Sequence, residues 1–256
     1  MNDIFNNAFG LQGKNILITG GRSGLGFAMA QCVANAGGFP IIVGSSSESV
    51  IWEAVKKLPA GAGFHFDVRE TEKAPDFASF LIEKYGHIDG LVNNAGVHCK
   101  KPFEETTIDD FQRVIDVHVF GSYALTQAVA PYMIRAKRGS IIFISSMSAM
   151  IGLTKVSTYG AAKSAVLGLV KCLTGDLSPY GIRVNAISPG FIDTPMFHQA
   201  VDKDPDRQKK IIVHTPLGKY GNPIDVGWAV VYLCSDASSF ITGVNLPVDG
   251  GCNIGF

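Results

Sequence analysis

No run of apolar residues in the 256-residue chain approaches the roughly 18 needed to cross a bilayer. The opening stretch Met1-Asn2-Asp3-Ile4-Phe5-Asn6-Asn7 also lacks the basic region and long apolar core of a signal peptide. The expectation is a soluble, cytoplasmic protein with no membrane partner. Net charge is missing too: 22 Lys plus Arg balance 22 Asp plus Glu, which removes the usual electrostatic signature of nucleic-acid binding. The five cysteines (Cys32, Cys99, Cys172, Cys234, Cys252) are odd in number and scattered, without a Cys-x-x-Cys pair. They read as reduced packing thiols, and no metal site is expected. Neither a tandem repeat, a linker nor a low-complexity tract divides the chain, which predicts one domain over 1–256.

What the chain has is 46% hydrophobic residues and 29 glycines, the composition of a large buried sheet with tight turns. Short apolar runs alternate with helical patterns. Asn15–Thr19, Pro40–Val43, Gly63–Phe66, Ile88–Val92, Ser140–Ser145, Gly181–Ile187 and Val244–Val248 read as strands. This alternation predicts an α/β fold with a doubly wound parallel sheet, and Pro247 marks the last strand as an edge. The longest helical pattern runs from about Ile108 to Arg135. From Phe191 to Pro216 the chain turns polar, with Pro195 and Pro205 and little periodicity, and reads as a mobile cover near 191–216.

Gly20-Gly21-Arg22-Ser23-Gly24-Leu25-Gly26 follows the first strand and opens the first helical pattern. In that context the glycines allow close approach of a pyrophosphate to the helix amino terminus. The second strand ends in Gly44-Ser45-Ser46-Ser47-Glu48, with no acid at the strand end to bind an adenosine ribose. Ser45, Ser46 and Arg22 suit a 2′-phosphate, which favours NADP over NAD, although the serines equally suit a turn and helix cap. Asp67-Val68 ends the third strand and Asn93-Asn94-Ala95-Gly96 the fourth.

Ser157-Thr158-Tyr159-Gly160-Ala161-Ala162-Lys163 places Lys163 four residues after Tyr159, on one face of a helix. An adjacent ammonium favours phenolate, and bringing a phenol from pKa 10 to 7 takes about 4 kcal/mol. The same spacing also arises on helices where tyrosine packs and lysine snorkels. Ser146, just past the apolar strand, points the choice toward chemistry because ligands of open α/β sheets bind at strand carboxyl ends.

Thr19-Gly20-x-x-x-Gly24-x-Gly26, Asp67, Asn93-Asn94-Ala95-Gly96, Ser146, Tyr159-x-x-x-Lys163 and Pro189-Gly190 together resemble the short-chain dehydrogenase/reductase family, in its order and spacing. The resemblance implies a single Rossmann-type domain of about seven strands, NAD(P), and hydride exchange between a secondary alcohol and a ketone. It implies that Tyr159 is the acid/base, that Ser146 orients the substrate oxygen, and that Lys163 lowers the tyrosine pKa while binding the nicotinamide ribose. Asp67 would hold the adenine, Asn94 would line the cofactor path, and Ile192 to Thr194 would meet the carboxamide. His118 stands where the family usually has an asparagine, so it is read either as a member of the proton relay, titrating near 6.5, or as a core histidine. A homotetramer is implied through the Tyr159 helix and the final helix and strand, with Leu167, Val170 and Leu173 facing either a partner or their own sheet.

The substrate reading is a polyol, sugar or sugar acid, with His98, Lys100 and Lys101 either at the mouth or in a solvated loop. Met147, Met150, Ile151, Val156 and Phe191 keep a 3-oxoacyl thioester or another ketone open. A cofactor-binding regulator without chemistry is the rival class, disfavoured by the presence of both Tyr159 and Lys163.

Overall fold

The computed structural model describes residues 2–202 and 204–254. The chain runs α1 (Asn2–Phe9), β1 (Asn15–Thr19), α2 (Gly24–Asn35), β2 (Phe39–Gly44), α3 (Glu48–Val55), β3 (Ala62–His65), α4 (Ala74–Tyr85) and β4 (Gly90–Asn93). It continues through α5 (Ile108–Ile115), α6 (Ser122–Ala136), β5 (Gly139–Ile144), α7 (Ser157–Leu177), β6 (Ile182–Pro189), α8 (Pro195–Val201), α9 (Pro205–His214), α10 (Pro223–Cys234) and β7 (Asn245–Val248). The seven strands form one parallel sheet in the order β3-β2-β1-β4-β5-β6-β7. No described helix is long and apolar enough to cross a membrane.

Alternation within the strands builds a core on each face. Leu17, Ile41, Leu91, Ile141 and Val184 pack beneath α4, α6 and α7. Their neighbours Ile16, Ile18, Ile42, Val92 and Ile142 pack beneath α2, α3 and α10. Burial on both faces explains why the strands read as unbroken apolar runs. The order reverses between β1 and β4, and the crevice opens there at the carboxyl ends of the strands. Pro247 lies on β7, which pairs only with β6 and is therefore an edge.

One reading changes. The stretch after Phe191 is helical: Thr194 and Asp204 cap α8 and α9 through side-chain bonds to the Phe197 and Arg207 N–H groups. Pro195 and Pro205 begin these helices, where a missing N–H costs nothing. Val170 is buried in the core under the sheet, and Leu167 and Leu173 pack against it partly buried, as the own-sheet alternative has it. Four of the cysteines are buried and Cys172 is exposed, all as free thiols.

The helical pattern expected from Ile108 onward is interrupted by a π-helical turn, Asp116–Gly121, between α5 and α6. Ser122 Oγ donates to the His118 carbonyl at 2.7 Å, satisfying an acceptor that the wide turn frees. Gly121 is needed here because a Cβ would lie 2.7 Å from the Val68 carbonyl oxygen. His118, on this turn, lines the crevice.

Candidate active site

A cavity of about 500 Å³ follows the crevice from Arg22, Ser45, Ser46 and Asp67 to Tyr159, Lys163 and Thr194. Its floor depends on glycine. Gly20 has φ +66°, and a Cβ on it would lie 3.0 Å from Ala95 Cα; a Cβ on Gly26 would collide with the Gly20 carbonyl. Thr19, buried behind them, accepts from the Asn94 and Ala95 N–H groups at 2.9 Å each. Asn94 Nδ2 returns a bond to the Thr19 carbonyl at 2.8 Å. Thus β1 and β4 are stitched together where their loops line the cavity.

These features fit a dinucleotide. Ser23 precedes α2 in an extended conformation and makes no side-chain capping bond, which leaves the first-turn N–H groups to an incoming phosphate. At the far end, Arg69 Nη2 lies 2.6 Å from Asp67 Oδ2, and Arg69 Nε lies 3.1 Å from both carboxylate oxygens. The guanidinium is the main cause holding the Asp67 carboxyl below its usual range. Half-buried Ser46 is fixed through its carbonyl, 2.9 Å from His65 Nδ1.

The reacting end is drier. Ser146 Oγ accepts from the Ser148 N–H at 3.1 Å, which orients its own proton outward. Lys163 is 4% exposed and donates to the Ile144 carbonyl at 2.6 Å, while its Nζ stands 5.5 Å from the centre of the Tyr159 ring. Burial pushes the Lys163 ammonium down to about 7. Burial pushes the Tyr159 phenol up to about 12, against a smaller opposing effect of its hydrogen bond with Ser146. With Lys163 Nζ bonded to the Ile144 carbonyl and 5.5 Å from the ring centre, burial is what dominates the Tyr159 phenol here.

His118 is 4% exposed, and its ring meets that of Tyr159 edge-on at 5.4 Å. Its Nε2 lies 2.8 Å from the Val97 carbonyl and 3.1 Å from the Val97 N–H, while Nδ1 has no partner among the described residues. Desolvation, then the Lys163 charge, pushes its pKa down to about 3. Burial thus keeps the imidazole well below its ordinary value of 6.5. Because the folded pKa lies below the unfolded value, folding stability falls as pH drops below 6.5. His118→Asn is expected to leave the pH–rate profile unchanged between pH 5 and 8 and to remove about 3 kcal/mol of stability loss between pH 7 and 4. Urea unfolding across that range measures it; identical slopes in both proteins would refute the assignment.

Of the cofactor residues expected from sequence, Gly20, Arg22, Ser23, Gly24, Leu25, Gly26, Ser45, Ser46, Asp67, Val68, Asn94, Ala95, Gly96 and Thr194 line the cavity, as do Tyr159, Lys163 and His118. Thr19, Pro189, Gly190 and Ile192 do not line it, and neither does Ser146. Gly190 instead abuts Asp249, where a Cβ would come 2.6 Å from its Cα, and buried Ile192 bridges to Gly221. They steer the chain that carries Thr194. Sequence reasoning missed Phe66, Arg69, Val97, Arg113 and Met196, which also line it. Only Arg69, two residues beyond Asp67, had a local signal.

A family model described as enoyl-(acyl carrier protein) reductase matches residues 20–253. A 3-oxoacyl-[acyl-carrier-protein] reductase of Thermotoga maritima is 35% identical over 94% of this chain and 98% of that protein. The chain belongs to the short-chain dehydrogenase/reductase family. As a member it is an NAD(P)-dependent oxidoreductase that interconverts a secondary alcohol and a ketone. An L-fucose dehydrogenase of Bos taurus is 35% identical over 95% of this short-chain dehydrogenase and 91% of its own length. The solved gluconate 5-dehydrogenase of Burkholderia cenocepacia J2315, in complex with NADP and tartrate, is 30% identical, with TM-score 0.94 over 98% of this chain and 99% of that one.

Proposed function

We propose that this enzyme acts on a small polyol, sugar or sugar acid and prefers NADP, within a single domain whose 191–216 segment covers the substrate. The observation that carries the reading is one cavity joining Arg22, Ser45 and Ser46 at one end to Tyr159 and Lys163 at the other. Gly20 to Gly26 and Asn94 to Gly96 would hold the dinucleotide, Asp67 the adenine, and Thr194 the carboxamide. The bound nicotinamide supplies or accepts the hydride. Tyr159 exchanges the proton with the substrate oxygen, Ser146 donates a hydrogen bond to that oxygen, and Lys163 binds the ribose. His118, neutral, donates and accepts from its two nitrogens.

Cofactor reduction across a panel of alditols, aldonates and secondary alcohols tests the activity. No turnover on any would sink it. Fluorescence titration is expected to show NADPH binding at least 10-fold tighter than NADH, because β2 ends without a carboxylate to repel the 2′-phosphate. Ser45→Asp should reverse the order. Equal affinities in the wild type refute the preference.

A 3-oxoacyl thioester is the second reading, favoured by buried Met147 and Val156 beside half-exposed Met150. A homotetramer in the cytoplasm completes the proposal. Exposed Ile224 and Trp228 on α10, with fully exposed Phe240 before β7, support the self-association. A monomer by sedimentation at micromolar concentration would contradict it.

A further inference from the structure

The Asp67 carboxylate has no acceptor to spare. Each of its oxygens receives two contacts from Arg69 alone: Oδ1 from the backbone N–H at 3.0 Å and from Nε at 3.1 Å, Oδ2 from Nε at 3.1 Å and from Nη2 at 2.6 Å. A carboxylate offers about four lone-pair sites, so these contacts fill it. The Glu70 N–H also bonds the Asp67 carbonyl at 2.9 Å, and together with the Arg69 N–H contact this closes a local turn that fixes the Asp67 side chain. Holding the pair together orders no distant part of the chain.

The pair stands at the adenosine end of the cavity. The Phe66 N–H bonds the Gly44 carbonyl at 3.0 Å, which keeps the end of β3 beside the turn that carries Ser45 and Ser46. Between Asp67 and Arg69, buried Val68 packs on the π-helical turn at Gly121, where a Cβ would lie 2.9 Å from the Val68 Cβ. Val68, Val117 and Arg69 all line the cavity, an apolar floor beside a guanidinium. No carboxylate besides Asp67 lines it among the described residues, so an exocyclic amine has no other acid to turn to.

We infer that Asp67 serves the adenine only through Arg69: the carboxylate anchors the guanidinium, the guanidinium lies against the purine, and the 6-amino group goes unread. This inference rests on the proposed dinucleotide site and makes Arg69 a specificity-determining residue for the base, with Asp67 as its positioning residue. A neutral amine offers one hydrogen bond in place of a charged, two-pronged donor, and so does not displace it. The Arg69 side chain is 57% exposed and that of Asp67 15%, which leaves the guanidinium open to a ligand and the carboxylate covered. Guanidinium planes stack on aromatic faces, and every purine has such a face whatever its exocyclic group. The site therefore accepts hypoxanthine in place of adenine.

Fluorescence titration of NADPH and of its 6-oxo analogue, reduced nicotinamide hypoxanthine dinucleotide phosphate, tests the inference without turnover. The two are expected to bind the wild type within about threefold of each other. Arg69→Ala should weaken the analogue roughly fivefold or more. It also frees the carboxylate for the amine, so this variant should prefer NADPH over the analogue by about fivefold, a gain of discrimination that a loosened fold does not produce. Asp67→Asn, which loosens the hold on Arg69, should weaken both ligands alike. A wild-type preference for NADPH of more than about threefold overturns the inference, and so does Arg69→Ala with unaltered affinity for both. NADH and its hypoxanthine analogue carry the same bases and should show the same ratio. Tighter binding of NADH than NADPH would defeat the proposed cofactor choice, and absence of turnover on any alcohol the proposed reaction; either would leave this inference standing.

Discussion

Tyr159→Phe is expected to lower kcat roughly 100- to 10,000-fold, the range that a positioned acid or base contributes, while NADPH affinity stays within about twofold. The substitution removes one oxygen and keeps a ring that contacts His98 at 5.2 Å and His118 at 5.4 Å, so the packing survives. The oxygen is what matters. With the phenol pushed up to about 12, the side chain is neutral across the physiological range and poised to donate a proton to a forming alkoxide. Reduction of a carbonyl should therefore be nearly independent of pH from 6 to 9, whereas oxidation of the alcohol should accelerate toward alkaline pH as phenolate becomes accessible. Retention of more than a tenth of the wild-type rate in the variant, with chemistry limiting, would remove Tyr159 from the mechanism.

Lys163→Met should separate function from stability. The bond to the Ile144 carbonyl disappears, and with it the donor proposed to hold the ribose. Hydrogen bonds to charged groups contribute about 1.5–3 kcal/mol, so kcat and cofactor affinity should each fall roughly 10- to 100-fold. Stability should move the other way at low pH. The folded pKa of about 7 lies below the ordinary 10.5. Folding of the wild type is therefore unpenalised above about 10.5, loses stability as pH falls, and carries the full desolvation penalty below about 7. A methionine of similar length has no charge to desolvate, so the variant is expected to melt several degrees above wild type at pH 6 and to lose that advantage near pH 10. A variant that melts lower at both pH values would show that the ammonium stabilises the fold. Loss of rate with unchanged cofactor affinity would contradict the ribose contact.

Much of this molecule is legible in short spans. The apolar runs Ile16-Leu17-Ile18 and Ile141-Ile142-Phe143 announce strands covered on both faces, because every residue in them is buried. Gly20, Gly24 and Gly26 declare a backbone that something must approach, and Tyr159 with Lys163 needs only the helical repeat to meet. Such features depend on neighbours within one turn or one strand. The helices after Phe191 were local too, but Pro195 and Pro205 were read as breakers when their place directly after Thr194 and Asp204 makes them initiators.

By itself the sequence determined the α/β architecture, the cofactor class and the Ser146, Tyr159 and Lys163 constellation, since period, turn chemistry and spacing are properties of contiguous chain. Only the tertiary structure decided the charge states. His118 is held below its usual range because it is buried near Lys163, and Lys163 falls to about 7 because it is buried as well. Desolvation and charge coupling act through space, and neither has a period that a sequence can display.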